Sequence, residues 1–166
     1  MKMKRGIKEM LAEADAAIVA LTPQEAAEAA KDDNVLLVDI RDVRELQRDG
    51  AVPGAWHAPR GMLEFWVDPD SPYHKPVFAS GKRFIFFCAG GLRSALTTKT
   101  LQDMGLEPVA HVTGGFGAWR DNKLRVHEVR AHVWFRDPTH RIESEGFAQK
   151  LYRDPRGTLR RTPAAF

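Results

Sequence analysis

Two apolar runs stand out along the chain. Val35-Leu36-Leu37-Val38 and Phe84-Ile85-Phe86-Phe87 show no polar alternation, which fits strands buried on both faces of a parallel sheet. Val109 to Thr113 predicts a third strand, ended by Gly114-Gly115, and a shorter one falls near Trp56 to Ala58 after the Pro53-Gly54 turn. Between these runs the pattern is helical. Thr22-Pro23-Gln24-Glu25 is a capping box with proline at the first helical position, so a helix starts there and runs to about Lys31. Arg41 to Asp49 predicts a charged helix stopped by Gly50, and Leu92 to Met104 a longer one closed by Gly105. Phe116 to Trp119 begins the last. Prolines at 69, 72 and 76 break residues 61–82 into a helix near Met62–Trp66 and a loop. Strands separated by helices mean an α/β fold with a central, mostly parallel sheet flanked by helices.

At the N-terminus, Ile7, Met10, Leu11, Ala14 and Ile18 recur at helical spacing and share one face. Residues 1–19 therefore read as an amphipathic helix packing on the domain, the other reading being a partner or membrane-surface helix. Glu9, Glu13 and Asp15 interrupt any apolar core of a targeting signal.

Composition narrows the class. The 166 residues are 43% apolar and 28% charged, enough for one packed domain with extensions at its ends. No run approaches the roughly 18 apolar residues that span a bilayer. The single cysteine, Cys88, excludes an internal disulfide framework and a Cys-cluster zinc site, and fits a reducing, cytoplasmic setting. Residues 1–128 carry 17 Lys and Arg against 18 Asp and Glu, whereas residues 129–166 carry 8 against 4. The basic character lies in the tail, and the near-neutral body argues against nucleic acid as the main ligand. The tail also holds Trp134, Phe135, Phe147 and Tyr152, with Ile142 to Leu151 as a candidate helix. It reads as an extension wrapping the domain or as a docking segment for a partner or an acidic ligand.

In open parallel sheets, ligands bind beyond the carboxyl ends of the strands. The run at 35–38 ends in Asp39 and the run at 84–87 ends in Cys88. Cys88-Ala89-Gly90-Gly91-Leu92-Arg93-Ser94 then runs through two glycines into a helix N-terminus. That geometry turns successive backbone N–H groups inward and favours negative charge. The anion held there is the Cys88 thiolate, or an oxyanion attached to it or attacking it, with Arg93 as an added cation. A helix terminus supplies ~0.3–2 kcal/mol and each charge-assisted hydrogen bond ~1.5–3 kcal/mol, so the amides dominate. The candidate site is Cys88 as nucleophile, with Ala89, Gly90, Gly91, Leu92, Arg93 and Ser94 around the bound group. Elsewhere the signals are structural. The six histidines lack zinc-ligand spacing, so no metal is expected. His111 reads as a satisfied core histidine, His57 lies near a strand end, and Asp68 and Asp70 form no calcium loop. Gly114-Gly115 reads as a sharp turn, since the Lys and Ser/Thr of a P-loop are missing.

Four segments in order resemble those of a single-domain rhodanese, a sulfurtransferase. They are Leu37-Val38-Asp39-Ile40-Arg41 with Glu45, Gly50-Ala51-Val52-Pro53-Gly54-Ala55, Cys88 to Ser94 in the form Cys-x-x-Gly-x-Arg-Ser, and Val112-Thr113-Gly114-Gly115-Phe116-Gly117-Ala118-Trp119. The resemblance implies a rhodanese-like three-layer fold over residues 20–127, with 1–19 and the basic 128–166 outside it. It implies that Cys88 attacks the outer sulfur of a small sulfur-containing anion such as thiosulfate, releasing sulfite and leaving a persulfide. Cyanide, a thiol or a partner-protein cysteine then accepts that sulfur, with ping-pong kinetics. No metal, organic cofactor, nucleic acid or membrane is implied. The first motif suggests that Asp39 holds the loop through backbone N–H groups, or else caps the following helix. Arg41 either pairs with Glu45 at i,i+4 or lines the site mouth. Ser94 either bonds the persulfide or sits in the first helical turn. Two departures stand out: Ala51 replaces the usual histidine, and residues 61–82 form a longer excursion, with Trp66, Tyr73 and His74, that reads as a lid or substrate wall. Alternatives are a persulfide carrier or binding module for a protein partner, and, less favoured, a cysteine phosphatase. The latter needs five residues between cysteine and arginine, and here there are four.

Overall fold

A computed structural model describes residues 3–129, 151–153 and 159–161. The apolar runs form the sheet: β2 is Val35–Asp39, β4 Arg83–Phe87 and β5 Val109–Val112. Two short strands, β1 (Ala20–Leu21) and β3 (Trp56–His57), complete the order β1-β5-β4-β2-β3, and every pairing is parallel. β1 was not expected. At two residues it carries no periodicity, and it exists because the His111 and Thr113 N–H groups donate to the Val19 and Leu21 carbonyls at 3.0 and 2.9 Å.

Side chains alternate across the sheet, and both faces are covered. Phe84, Phe86 and Cys88 join Val38, Trp56, Leu63, Phe78 and Leu101 in one core, while Leu37, Ile85, Phe87 and Ala110 join Ala26, Phe116 and Trp119 in the other. Helices α2 (Pro23–Ala29), α3 (Val43–Asp49) and α5 (Leu92–Asp103) lie between successive strands, and α6 (Gly115–Asp121) follows β5. The result is the expected α/β architecture, with helices on both faces of a parallel sheet. The N-terminal helix α1 (Ile7–Ala17) sets Ala14 and Ile18 against Ala95 of α5. Ile7 and Met10 stay exposed, so only the lower half of its predicted apolar face is used.

Capping residues fix where helices begin. The Thr22 and Glu25 box is present as read, with Glu25 N donating to Thr22 Oγ1 and Thr22 N to Glu25. The helix expected from Arg41 starts two residues later. Asp42 caps it, accepting from Arg44 N at 2.9 Å, while Glu45 accepts from Asp42 N at 3.0 Å. Asp39 is therefore not the cap. Such a box is worth about 1 kcal/mol.

The excursion at 61–82 is a packed wall of the core that contains Cys88. A 3-10 turn (Arg60–Met62) leads into α4 (Leu63–Val67), and a second (Pro76–Ala79) lies within the loop that follows, as expected apart from these two turns. Trp56 meets Trp66 at 5.7 Å and Phe78 at 5.4 Å between ring centroids. No helix among the described residues is long and apolar enough to cross a membrane. The helix expected over Ile142–Leu151 lies outside the described residues except at Leu151, which opens β6 (Leu151–Arg153), antiparallel to β7 (Leu159–Arg161).

Candidate active site

Strand β4 delivers Cys88 to the carboxyl edge of the sheet, beside the end of β2. The thiol sits at the bottom of its loop, with the residue 1% exposed, while Gly90, Leu92 and Arg93 stay open to solvent. Gly91 N donates to Cys88 Sγ at 3.2 Å. Gly91 reaches that position with φ +93°, and a Cβ there would lie 2.9 Å from Gly114 N, so only glycine fits without displacement. Immediately afterwards α5 begins, and the N–H groups of its first turn have no helical acceptor, which makes the loop electropositive without any lysine.

A second backbone layer holds the loop from behind. Phe116 N donates to the Cys88 carbonyl at 2.7 Å and Gly117 N to the Ala89 carbonyl at 2.9 Å. Gly114-Gly115, read from sequence only as a turn, brings α6 close enough for this. At Gly115 (φ +57°) a Cβ would lie 2.2 Å from the Cys88 carbonyl oxygen. The glycine pair was visible in the sequence, but its contact with the nucleophile loop is non-local and left no trace there.

Ser94 belongs to the scaffold. Fully buried, it donates from Oγ to the Gly91 carbonyl at 2.9 Å, which favours the helical-turn reading over a bond to bound sulfur. His111 Nδ1 lies 3.4 Å from the same Oγ. Burial pushes the His111 pKa down, so this ring stays neutral behind the loop.

Asp39 and Arg41 do not touch the loop amides, and both expectations for them are corrected. The Asp39 carboxylate accepts from Arg41 N at 3.1 Å, Nε at 3.0 Å and Nη2 at 2.7 Å. Neither side chain is exposed. Arg41 also donates to the Gly50 carbonyl at 2.9 Å and lies 3.7 Å from the Phe116 ring centroid. It is thus neither the partner of Glu45 nor at the mouth. The cause is the helix start: with Asp42 as cap, Arg41 lies outside α3 and folds back under the end of β2. His57 Nε2 is 2.8 Å from the Arg41 carbonyl, on the same buried side.

Glu45 is freed for a different partner, missed from the sequence although the box Asp42-x-x-Glu45 marks where α3 begins. It grips Arg93 with two bonds, from Nη2 at 2.7 Å and Nη1 at 2.8 Å. These bonds hold the Glu45 carboxyl at a pKa of about 2 and push the Arg93 guanidinium further up. Arg93 also interacts electrostatically with Cys88. The loop cation is therefore already bound to a carboxylate. The arrangement sets the Cys88 sulfur against the Gly91 amide at a helix start, with one cation at the rim that Glu45 already binds.

The family model described as Rhodanese-like domain matches residues 22–122. The thiosulfate sulfurtransferase GlpE of Glaesserella parasuis is 31% identical over 106 residues, covering 64% of this chain and 90% of that protein. The solution structure of the polysulfide-sulfur transferase homodimer from Wolinella succinogenes is 28% identical. It superposes with a TM-score of 0.57 over 78% of this chain and 92% of that one. A Rhodopseudomonas palustris protein of unknown function, described as a possible tyrosine phosphatase, is 55% identical. Its structure has a TM-score of 0.73 and covers 76% of this chain and 98% of that one.

Proposed function

From the premise that this chain belongs to the rhodanese-like sulfurtransferase family, we propose that it transfers sulfane sulfur through a persulfide on Cys88. The Cys88 thiolate attacks the outer sulfur of a donor such as thiosulfate, the S–S bond breaks, and sulfite leaves with the electron pair. A thiol, cyanide or a partner-protein cysteine then attacks the persulfide and restores the thiolate. The single observation that carries the reading is the Gly91 N–H on Cys88 Sγ at a strand-to-helix junction. That amide and the first turn of α5 stabilise negative charge on the terminal sulfur. The domain spans residues 20–127 in this reading, with 128–166 as an added basic segment.

The test is intact mass after incubation with thiosulfate. The expected result is a gain of one sulfur atom that cyanide removes and that Cys88→Ala never acquires. No gain from thiosulfate, mercaptopyruvate or a persulfidated thiol would favour a binding module instead. A phosphatase reading is suggested by the description of the Rhodopseudomonas protein. Against it, four residues separate Cys88 from Arg93, giving a ring with fewer amides than a tetrahedral phosphate needs. Negligible hydrolysis of phenyl phosphate is expected, and turnover comparable to sulfur transfer would reverse the assignment.

A further inference from the structure

The one cation of the nucleophile loop is already engaged. Both terminal nitrogens of Arg93 bind the Glu45 carboxylate. Glu45 is also tied to the start of α3 through Asp42 N, and its side chain is mostly buried. Arg41, the other cation acting on Glu45, is sealed against Asp39 and cannot compensate a ligand at the rim. The mouth thus holds one positive and one negative group side by side. A dianionic donor, and the dianion it releases, gains from Arg93 but is repelled by Glu45. A donor with a single charge halves both interactions; beside a nearly neutral pair the second charge of a dianion finds little net attraction and still loses its hydration on entering the site.

Resting on the sulfur-transfer reading, we propose that Glu45 is a specificity-determining residue that sets this site for monoanionic sulfane donors, thiosulfonates and thiol persulfides, over dianionic thiosulfate. The chemistry is the same displacement. The Cys88 thiolate bonds to the terminal sulfur of R–SO2–S⁻, the S–S bond breaks, and the sulfinate R–SO2⁻ leaves with the electron pair. Total charge and atoms are conserved. Glu45 touches Arg93 rather than the reacting sulfur, so it acts by position and charge.

Thiosulfate and methanethiosulfonate make a matched pair of probes, because a methyl group replaces one charged oxygen. The rate at which Cys88 gains sulfur from each is read by intact mass and normalised to the reaction of each donor with free cysteine. In the wild type the monoanion is expected to be preferred. Glu45→Gln keeps the bond to Asp42 N and a bond to Arg93 but removes the charge. It should shift the preference toward thiosulfate by about ten-fold, the scale of one unit charge acting at about 12 Å under an effective dielectric of about 20. Glu45→Asp, which retains the charge, should stay closer to the wild-type ratio, and circular dichroism checks that each variant is folded. An unchanged ratio in Glu45→Gln, or a normalised wild-type preference for thiosulfate, overturns the proposal while leaving sulfur transfer standing. If neither donor loads Cys88 in the wild type, the sulfur-transfer reading itself falls.

Discussion

Asp39 with Arg41 and Glu45 with Arg93 are two carboxylate–guanidinium pairs, the first local in the chain and the second joining α3 to α5, each closed at 2.7 Å. The inner pair is fully buried, and its arginine lies against Phe116, whose N–H holds the Cys88 carbonyl. The outer pair has its arginine side chain 44% exposed, beside the open end of the same loop. Contact length is thus equal while consequence differs. Desolvation makes the inner pair a fixed part of the interior, costly to break from one side. Solvent makes the outer pair worth little to the fold and leaves its charge available to chemistry.

The hardest blow to this contrast is Arg41→Ala, which strands the Asp39 carboxylate in the core. A loss of about 3–5 kcal/mol is expected, read from urea unfolding. The double variant Asp39→Ala/Arg41→Ala should lose less than the sum of the single changes, which a double-mutant cycle measures. A smaller change tests whether the inner side acts through α6. Gly115→Ala leaves both pairs in place but costs at least ~1–2 kcal/mol for the left-handed backbone. It also drives a methyl group into the Cys88 carbonyl. Sulfur uptake by Cys88 should fall further than the stability loss alone explains, as intact mass against unfolding midpoint would reveal. Smallest is Glu45→Gln, expected to cost under about 1 kcal/mol at neutral pH. Because folding lowers the Glu45 pKa from 4.5 to about 2, its contribution is present in full above pH 4.5 and disappears as pH falls toward 2. The urea midpoints of variant and wild type should converge over that window. A difference that persisted at the acid end would place the effect in packing.

The long strands and helix ends were legible because each is a local signal. The unbroken apolar runs of β2 and β4, the box at Thr22 and Glu25, and the glycines at 50 and 105 all carry their cause within a few residues. The Cys88 loop was legible for the same reason, since strand, glycines and helix follow one another directly. What escaped depends on distance along the chain. β1 borrows its register from β5, and α6 finds the loop only once the sheet has closed. The Arg41 and Glu45 pairing failed on a shift of two residues in a helix start, which leaves Arg41 to Asp39 and Glu45 to Arg93. Such a shift is invisible to i,i+4 counting, because counting presumes that both residues are already helical.

Gly90 lies one place from Gly91, where only glycine fits without displacement, yet a side chain added to Gly90 would meet nothing within 4 Å. The loop therefore carries a vacant lateral port whose occupant the scaffold does not dictate. A lineage bearing this backbone can place a lysine, an acid or a bulky group there by a single codon change. The repertoire of sulfur compounds it accepts is then free to drift while the architecture beneath stays the same.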